Sequence, residues 1–154
     1  MSAVAKPIPE GYHTVTPYLI FTGASDAIAF YKQALGAEEV MRLGGPGGKI
    51  AHAEIKIGDS RVMLADEHPE IGAVSPKTVG GSPVSIHLYV EDVDRAVERA
   101  IAAGAKLVRP VADQFYGDRI GGIEDPHGYR WFIATRKEDL TVEEIRRRTA
   151  EQGR

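Results

Sequence analysis

A chain of 154 residues and 16.7 kDa has room for one compact domain or two closely packed half-domains, which excludes a large multidomain enzyme. Its 43% hydrophobic and 27% charged residues suffice for a buried core and exclude global disorder, and a formal charge of −3 gives no net attraction to nucleic acid or an anionic membrane. The chain has no cysteine, so disulfide scaffolds, thiolate metal centres and cysteine nucleophiles are ruled out, and any metal would need His, Asp or Glu. The N-terminal stretch, with Pro7, Pro9 and Gly11, holds no apolar run of leader length, and no later run reaches the ~20 residues of a membrane helix. A cytoplasmic protein with neither membrane nor nucleic-acid partner is expected.

In chain order, Val15 to Phe21 mixes β-branched and aromatic residues and reads as a strand. A helix follows, capped by Ser25 or Asp26, with Ala27, Ile28, Phe30, Tyr31, Ala34 and Leu35 on one stripe and Gly36 as its stop. Strands are expected at Val40 to Leu43, Ile50 to Ile57 and Arg61 to Ala65, the last two joined by a Gly58-Asp59 turn. Residues 66–83 are rich in Pro and Gly and read as a linker with no structure of its own. The plan then repeats: a strand over Val84 to Val90, a helix over Val93 to Ala103, and strands near Lys106 to Val111, Ile120 to Glu124 and Arg130 to Thr135. The second helix carries Val93, Ala96, Val97, Ala100 and Ile101 on one face. An offset of 69 residues, which places Ala27 on Ala96, also places Thr16 on Ser85 and Met63 on Phe132. The class is therefore α+β: two tandem βαβββ modules, 13–65 and 84–135, with a final helix over 141–152 opened by a capping box at Thr141 and Glu144.

The paired modules, the Ala27-Ile28-Ala29-Phe30-Tyr31 helix ending in Leu35-Gly36, and Glu124-Asp125-Pro126-His127-Gly128-Tyr129 before the last strand resemble the vicinal oxygen chelate superfamily of glyoxalases, extradiol dioxygenases, fosfomycin-resistance enzymes and bleomycin-binding proteins. Thr16-Pro17-Tyr18-Leu19, His52-Ala53-Glu54, and Tyr116-Gly117-Asp118-Arg119 leading to Asp125 through Trp131 resemble its PhnB-like group. The resemblance implies two curved sheets forming a cup that holds the ligand, and a homodimer. In metal-using relatives it implies ligands on the first and last strand of each module, which fall on Thr16, Met63, Ser85 and Phe132. None is His or Glu, and Met and Phe offer apolar surface, so neither a metal nor another cofactor is expected. A metal-free binder of a small molecule, one that sequesters a toxic or antibiotic-like compound, is the leading expectation.

Strand alternation places Tyr18 with Thr16, Arg61 with Met63, His87 and Tyr89 with Ser85, and Arg130 with Phe132. These line the expected cup with aromatic, apolar and guanidinium groups, or fill it as core. Asp118 and Arg119, after Tyr116, either form a buried ion pair at the rim or offer Arg119 to an anionic ligand. His87 is the best single candidate for acid–base work. The competing reading is a lyase, isomerase or dioxygenase-type enzyme that uses His87 as acid or base, or an off-pattern metal site at His52, Glu54 and His87. His52-x-Glu54 lacks the later Cys pair of a zinc deaminase, and Gly44 to Lys49 lacks the spacing and hydroxyl of a phosphate loop, so a mobile loop or lid is the better account. Asp125 to Gly128 reads as a turn and Trp131 as core.

Overall fold

In the computed structural model, which describes residues 4–152, the chain divides into two compact units, one through Gly81 and one from Ser82 onward. The first unit runs β1 (Tyr18–Phe21), α1 (Ala24–Leu35), β2 (Glu38–Gly44), β3 (Ile50–Ile57) and β4 (Ser60–Asp66). Its sheet has the order β1-β4-β3-β2, with β1 parallel to β4 and the other pairs antiparallel. Alternation puts Leu19, Phe21, Ala53, Ile55, Val62 and Leu64 on one face, all buried, and α1 packs its Ala24, Ala27, Ile28, Tyr31 and Ala34 there. Phe21 meets Tyr31 edge-on at 5.9 Å between ring centroids.

The cap of α1 differs from the sequence expectation. Neither Ser25 nor Asp26 caps it; the Asp66 carboxylate at the end of β4 accepts from Gly23 N–H at 3.0 Å and Ala24 N–H at 2.8 Å, and from Ile50 N–H at 2.7 Å. A strand thus supplies the anion that the helix N-terminus favours. Gly36 closes the helix in the left-handed conformation, as its position predicts. The linker is also a correction. Pro69–Ile71 forms a 3-10 turn, His68 bridges Ala73, and α2 (Pro76–Val79) is capped by Ser75, whose side chain accepts from Thr78 N–H. Pro69 and Pro76 sit at first helical positions, where a missing N–H costs nothing.

The second unit repeats the topology with β5 (Ser85–Tyr89), α3 (Val93–Ala102), β6 (Lys106–Asp113), β7 (Asp118–Glu124) and β8 (Arg130–Arg136), in the order β5-β8-β7-β6. The α+β class with paired βαβββ units is therefore as expected. Val93, Val97 and Ala100 of α3 are buried over Trp131, Ile133 and Ile123, while Ile101, expected on that face, is 41% exposed. The position equivalent to Asp66 is Thr135, whose hydroxyl accepts from Val93 N–H at 2.9 Å, so the strand-to-helix cap recurs in the repeat. Asp125 organises the last turn: its carboxylate accepts from His127 N–H at 2.9 Å, Tyr129 N–H at 3.0 Å and Trp131 Nε1–H at 3.0 Å. Helix α4 (Val142–Glu151) is capped by the Thr141 hydroxyl, as the sequence suggests, and Arg148 ties it to Glu138 and the Phe115 carbonyl. Among the described residues no helix is long and apolar enough to cross a membrane.

Candidate functional site

The face of each sheet opposite its helix carries most of the expected site residues, Arg119 and Tyr116 excepted, and strand register sorts them into rows. In the first unit Tyr18 pairs with Met63, Met63 with Glu54, and Glu54 with Met41. Thr16 lies two residues before β1, half-buried, and its neighbour Pro17 accepts from Met63 N–H at 2.9 Å. His52 joins the row through hydrogen bonds: its Nε2 lies 2.8 Å from Glu54 and its Nδ1 2.7 Å from the Tyr18 hydroxyl. On the other carboxylate oxygen Glu54 accepts from Tyr12 O–H, and the Arg61 guanidinium sits 5.3 Å from the Tyr12 ring centroid. Exposure falls along this chain, from 46% at Tyr18 to 24% and 14% for the His52 and Glu54 side chains. The Tyr12 and His52 hydrogen bonds hold the Glu54 carboxyl below its ordinary range, so it is an anion at neutral pH. Desolvation, reinforced by Glu54, pushes both tyrosine hydroxyls up, so they stay protonated.

In the second unit the corresponding row is His87, Phe132, Gly122 and Arg109. Gly122 stands where the first unit has Glu54. A Cβ built there would lie 2.9 Å from the Phe132 ring and 3.1 Å from Arg109 Cβ, so the ring rests on bare backbone. His87 and Tyr89 are exposed, their rings 4.9 Å apart, and Tyr89 O–H donates at 2.7 Å to the buried Asp118. That bond, more than desolvation, raises the Tyr89 hydroxyl, and Arg136 faces the other Asp118 oxygen at 3.6 Å. Ser85 pairs with Arg130, which reaches Glu124 at 3.5 Å. Tyr116 stands edge-on to Phe115 in the turn before β7.

Asp118 and Arg119 do not pair with each other, being neighbours that leave opposite faces of β7. Arg119 lies on the helix side, where Asp94 of α3 holds its guanidinium at 2.8 and 3.0 Å and Asp113 at 3.1 Å. It is not brought to the row of His87 and Phe132. Nor does the Gly44 to Lys49 segment stand open: a 3-10 turn over Pro46–Gly48 is closed by Gly45 N–H on the Lys49 carbonyl at 2.7 Å. With residues 66–70 it borders a cleft of about 630 Å³.

The positions at which metal-using relatives carry ligands do not suit a metal. Phe132 offers a ring packed on Gly122, and Met63 a thioether between Tyr18 and Glu54 in register. Among the described residues no three His, Cys, Asp or Glu side chains group so as to hold an ion. His52 and Glu54 instead bind each other and two tyrosines. Tyr12 is the residue sequence reasoning missed, since a Pro- and Gly-rich stretch carries no periodicity to aim it. The two-residue spacing of His52 and Glu54 was visible, but not their link to Tyr18 across the sheet.

The family model of the Glyoxalase/Bleomycin resistance protein/Dioxygenase superfamily matches residues 13–133. The chain is similar to the uncharacterized protein Mb0911c of Mycobacterium bovis, 39% identical over 142 residues, covering 90% of this chain and 93% of that protein. Among solved structures it is similar to protein PA1353 from Pseudomonas aeruginosa, at a TM-score of 0.65 and 26% identity over 82% of this chain and 99% of that one. It also shares its fold with the PhnB protein from Bacillus cereus, at a TM-score of 0.61 and 18% identity over 80% and 99% of the two chains.

Proposed function

The chain belongs to the Glyoxalase/Bleomycin resistance protein/Dioxygenase superfamily, and from that premise we propose that it binds a small molecule without a metal ion, sequestering a toxic or antibiotic-like compound. One observation carries this reading: the strand rows present a thioether and a ring, Met63 and Phe132, beside hydrogen-bonding aromatic side chains, Tyr18 and His87. Such surfaces hold a ligand with a flat apolar body and a polar end. Arg61, Arg109 and Arg130 add positive charge for an anionic or carbonyl group. The protein acts as a homodimer, because the outer strands β2 and β6 are exposed over most of their length and such edges call for cover. Sedimentation equilibrium giving a monomer would remove that part.

The test is a thermal-shift screen of flat aromatic and anionic compounds on metal-depleted protein, followed by calorimetric titration. Saturable binding that persists in EDTA, leaves the compound intact and weakens about tenfold in Phe132→Ala is the expected result. Binding that requires a divalent ion, or consumption of the compound lost in His87→Ala with the fold intact, would replace this reading with an enzymatic one.

A further inference from the structure

We propose that Tyr18, His52 and Glu54 form a metal-free proton relay that recognises a weakly acidic hydroxyl compound, a phenol or enol, by exchanging one proton with it. The inference rests on the small-molecule-binding reading and assigns the first unit's row its ligand class. The argument begins with the Glu54 carboxylate, an acceptor only, which faces Tyr12 O–H on one oxygen and His52 Nε2 at 2.8 Å on the other. Nε2 must therefore carry the imidazole proton. Nδ1 is left as a lone pair, and the group 2.7 Å from it is the Tyr18 hydroxyl, which donates its proton there. With that proton committed inward, the outward lone pairs of the Tyr18 oxygen can accept, on a residue that is 46% exposed. In this state the site takes a hydroxyl that donates. Met63, opposite Tyr18 in register, gives the ligand's ring a polarizable apolar seat.

A proton can then move one step along the chain. The ligand O–H bond breaks and its proton joins the Tyr18 oxygen, while the Tyr18 proton passes to His52 Nδ1. The products are a ligand oxyanion, hydrogen-bonded by Tyr18, and an imidazolium held against the Glu54 carboxylate. No electron is transferred and no co-reactant is consumed. The exchange is near balance when the ligand's acidity matches that of an imidazolium, which selects acidic phenols and enols over alcohols. Glu54, Tyr18, Tyr12 and Arg61 are the titratable groups around His52, and β2 presents the apolar Leu43 opposite it. The Glu54 end is the more buried, so the imidazolium forms where its counter-ion is least screened.

The probe is p-nitrophenol, whose phenol and phenolate absorb at different wavelengths, added about one pH unit below its own pKa. Wild-type protein should bind it and convert it to phenolate, raising its apparent acidity about tenfold. Tyr18→Phe should lose the phenolate band and bind about tenfold more weakly, while Glu54→Gln should retain binding within a few fold and lose the band. Circular dichroism confirms that both variants fold, and nitrogen NMR of the ligand-free imidazole should report Nε2 protonated. A bound probe that stays a phenol, a phenolate band that persists in Tyr18→Phe, or the opposite tautomer would overturn the relay. If other compounds bind and p-nitrophenol is not converted, the relay falls and the binding reading stands; if nothing binds, both fall.

Discussion

Asp125 offers the sharpest test of how the second unit is held together. It is 3% exposed, and its carboxylate gathers two backbone N–H groups and the Trp131 indole N–H within 3.0 Å. Asp125→Ala removes the acceptor and strands three donors in a place where Trp131 itself is 1% exposed. A buried donor without a partner costs about 1–3 kcal/mol; with the two turn amides partly rescued by water, the sum is about 4 kcal/mol. Asp125→Asn keeps one carbonyl oxygen but turns an amide donor toward one of the three, and costs about 2 kcal/mol. Against a total stability of about 5–15 kcal/mol, and a urea slope of about 2 kcal/mol per molar, the midpoints fall by about 2 M and 1 M. The assay is urea unfolding followed by fluorescence, since Trp131 is the only tryptophan and reports on the same carboxylate. Asp139→Ala, whose side chain is 95% exposed and pairs with the half-exposed Arg136, is the control and should change stability by less than about 0.5 kcal/mol. If Asp125→Ala moved the midpoint by less than about 0.5 M, the carboxylate would not be the organiser of the turn.

Two further outcomes follow from the same structure. Asp66→Ala, which removes the acceptor of three amides, should cost about 3 kcal/mol against about 1 kcal/mol for Thr135→Ala; hydrogen exchange should show the first loosening α1 and the start of β3, and the second α3. Arg147 first, and then Arg148, hold the Glu144 carboxyl down at about 2. Because its folded-state pKa is depressed, its contribution to α4 is complete above the ordinary carboxylate value of 4.5 and is lost as pH falls toward 2. Amide protection in α4 should fade across that window, and Glu144→Gln should abolish the step.

What could be read from the sequence were features whose cause is local. Helices α1 and α3 follow from apolar spacing, and the repeat offset is realised in register, with Tyr18 beside Met63 as His87 is beside Phe132. What could not be read depends on partners far along the chain. The cap of α1 comes from Asp66, 42 residues beyond Ala24, so local rules selected Ser25 and Asp26 instead. Prolines in the linker looked like breakers, yet at the first position of a single turn they start one. Arg119 was placed by its neighbours in sequence, whereas β7 begins at Asp118, which puts Arg119 on the face of Ile123 beneath α3. Tyr12 needs only the reach of a short N-terminal arm to Glu54, and nothing in its surroundings announces that.

The alternation along these strands separates two kinds of heritable change. Inward positions such as Leu64, Ile55, Trp131 and Ile133 are almost without solvent contact and answer to packing, while the residues between them answer only to whatever lies against the sheet. Substitution at Tyr18, Met63 or His87 therefore changes the outward surface of the sheet while leaving the buried face intact. The repeat shows the same separation: at matched places in the two sheets one unit carries the Glu54 carboxylate and the other Gly122, where a side chain would meet the Phe132 ring. Under the proposed binding role, the outward rows rather than the buried faces are where relatives are expected to differ.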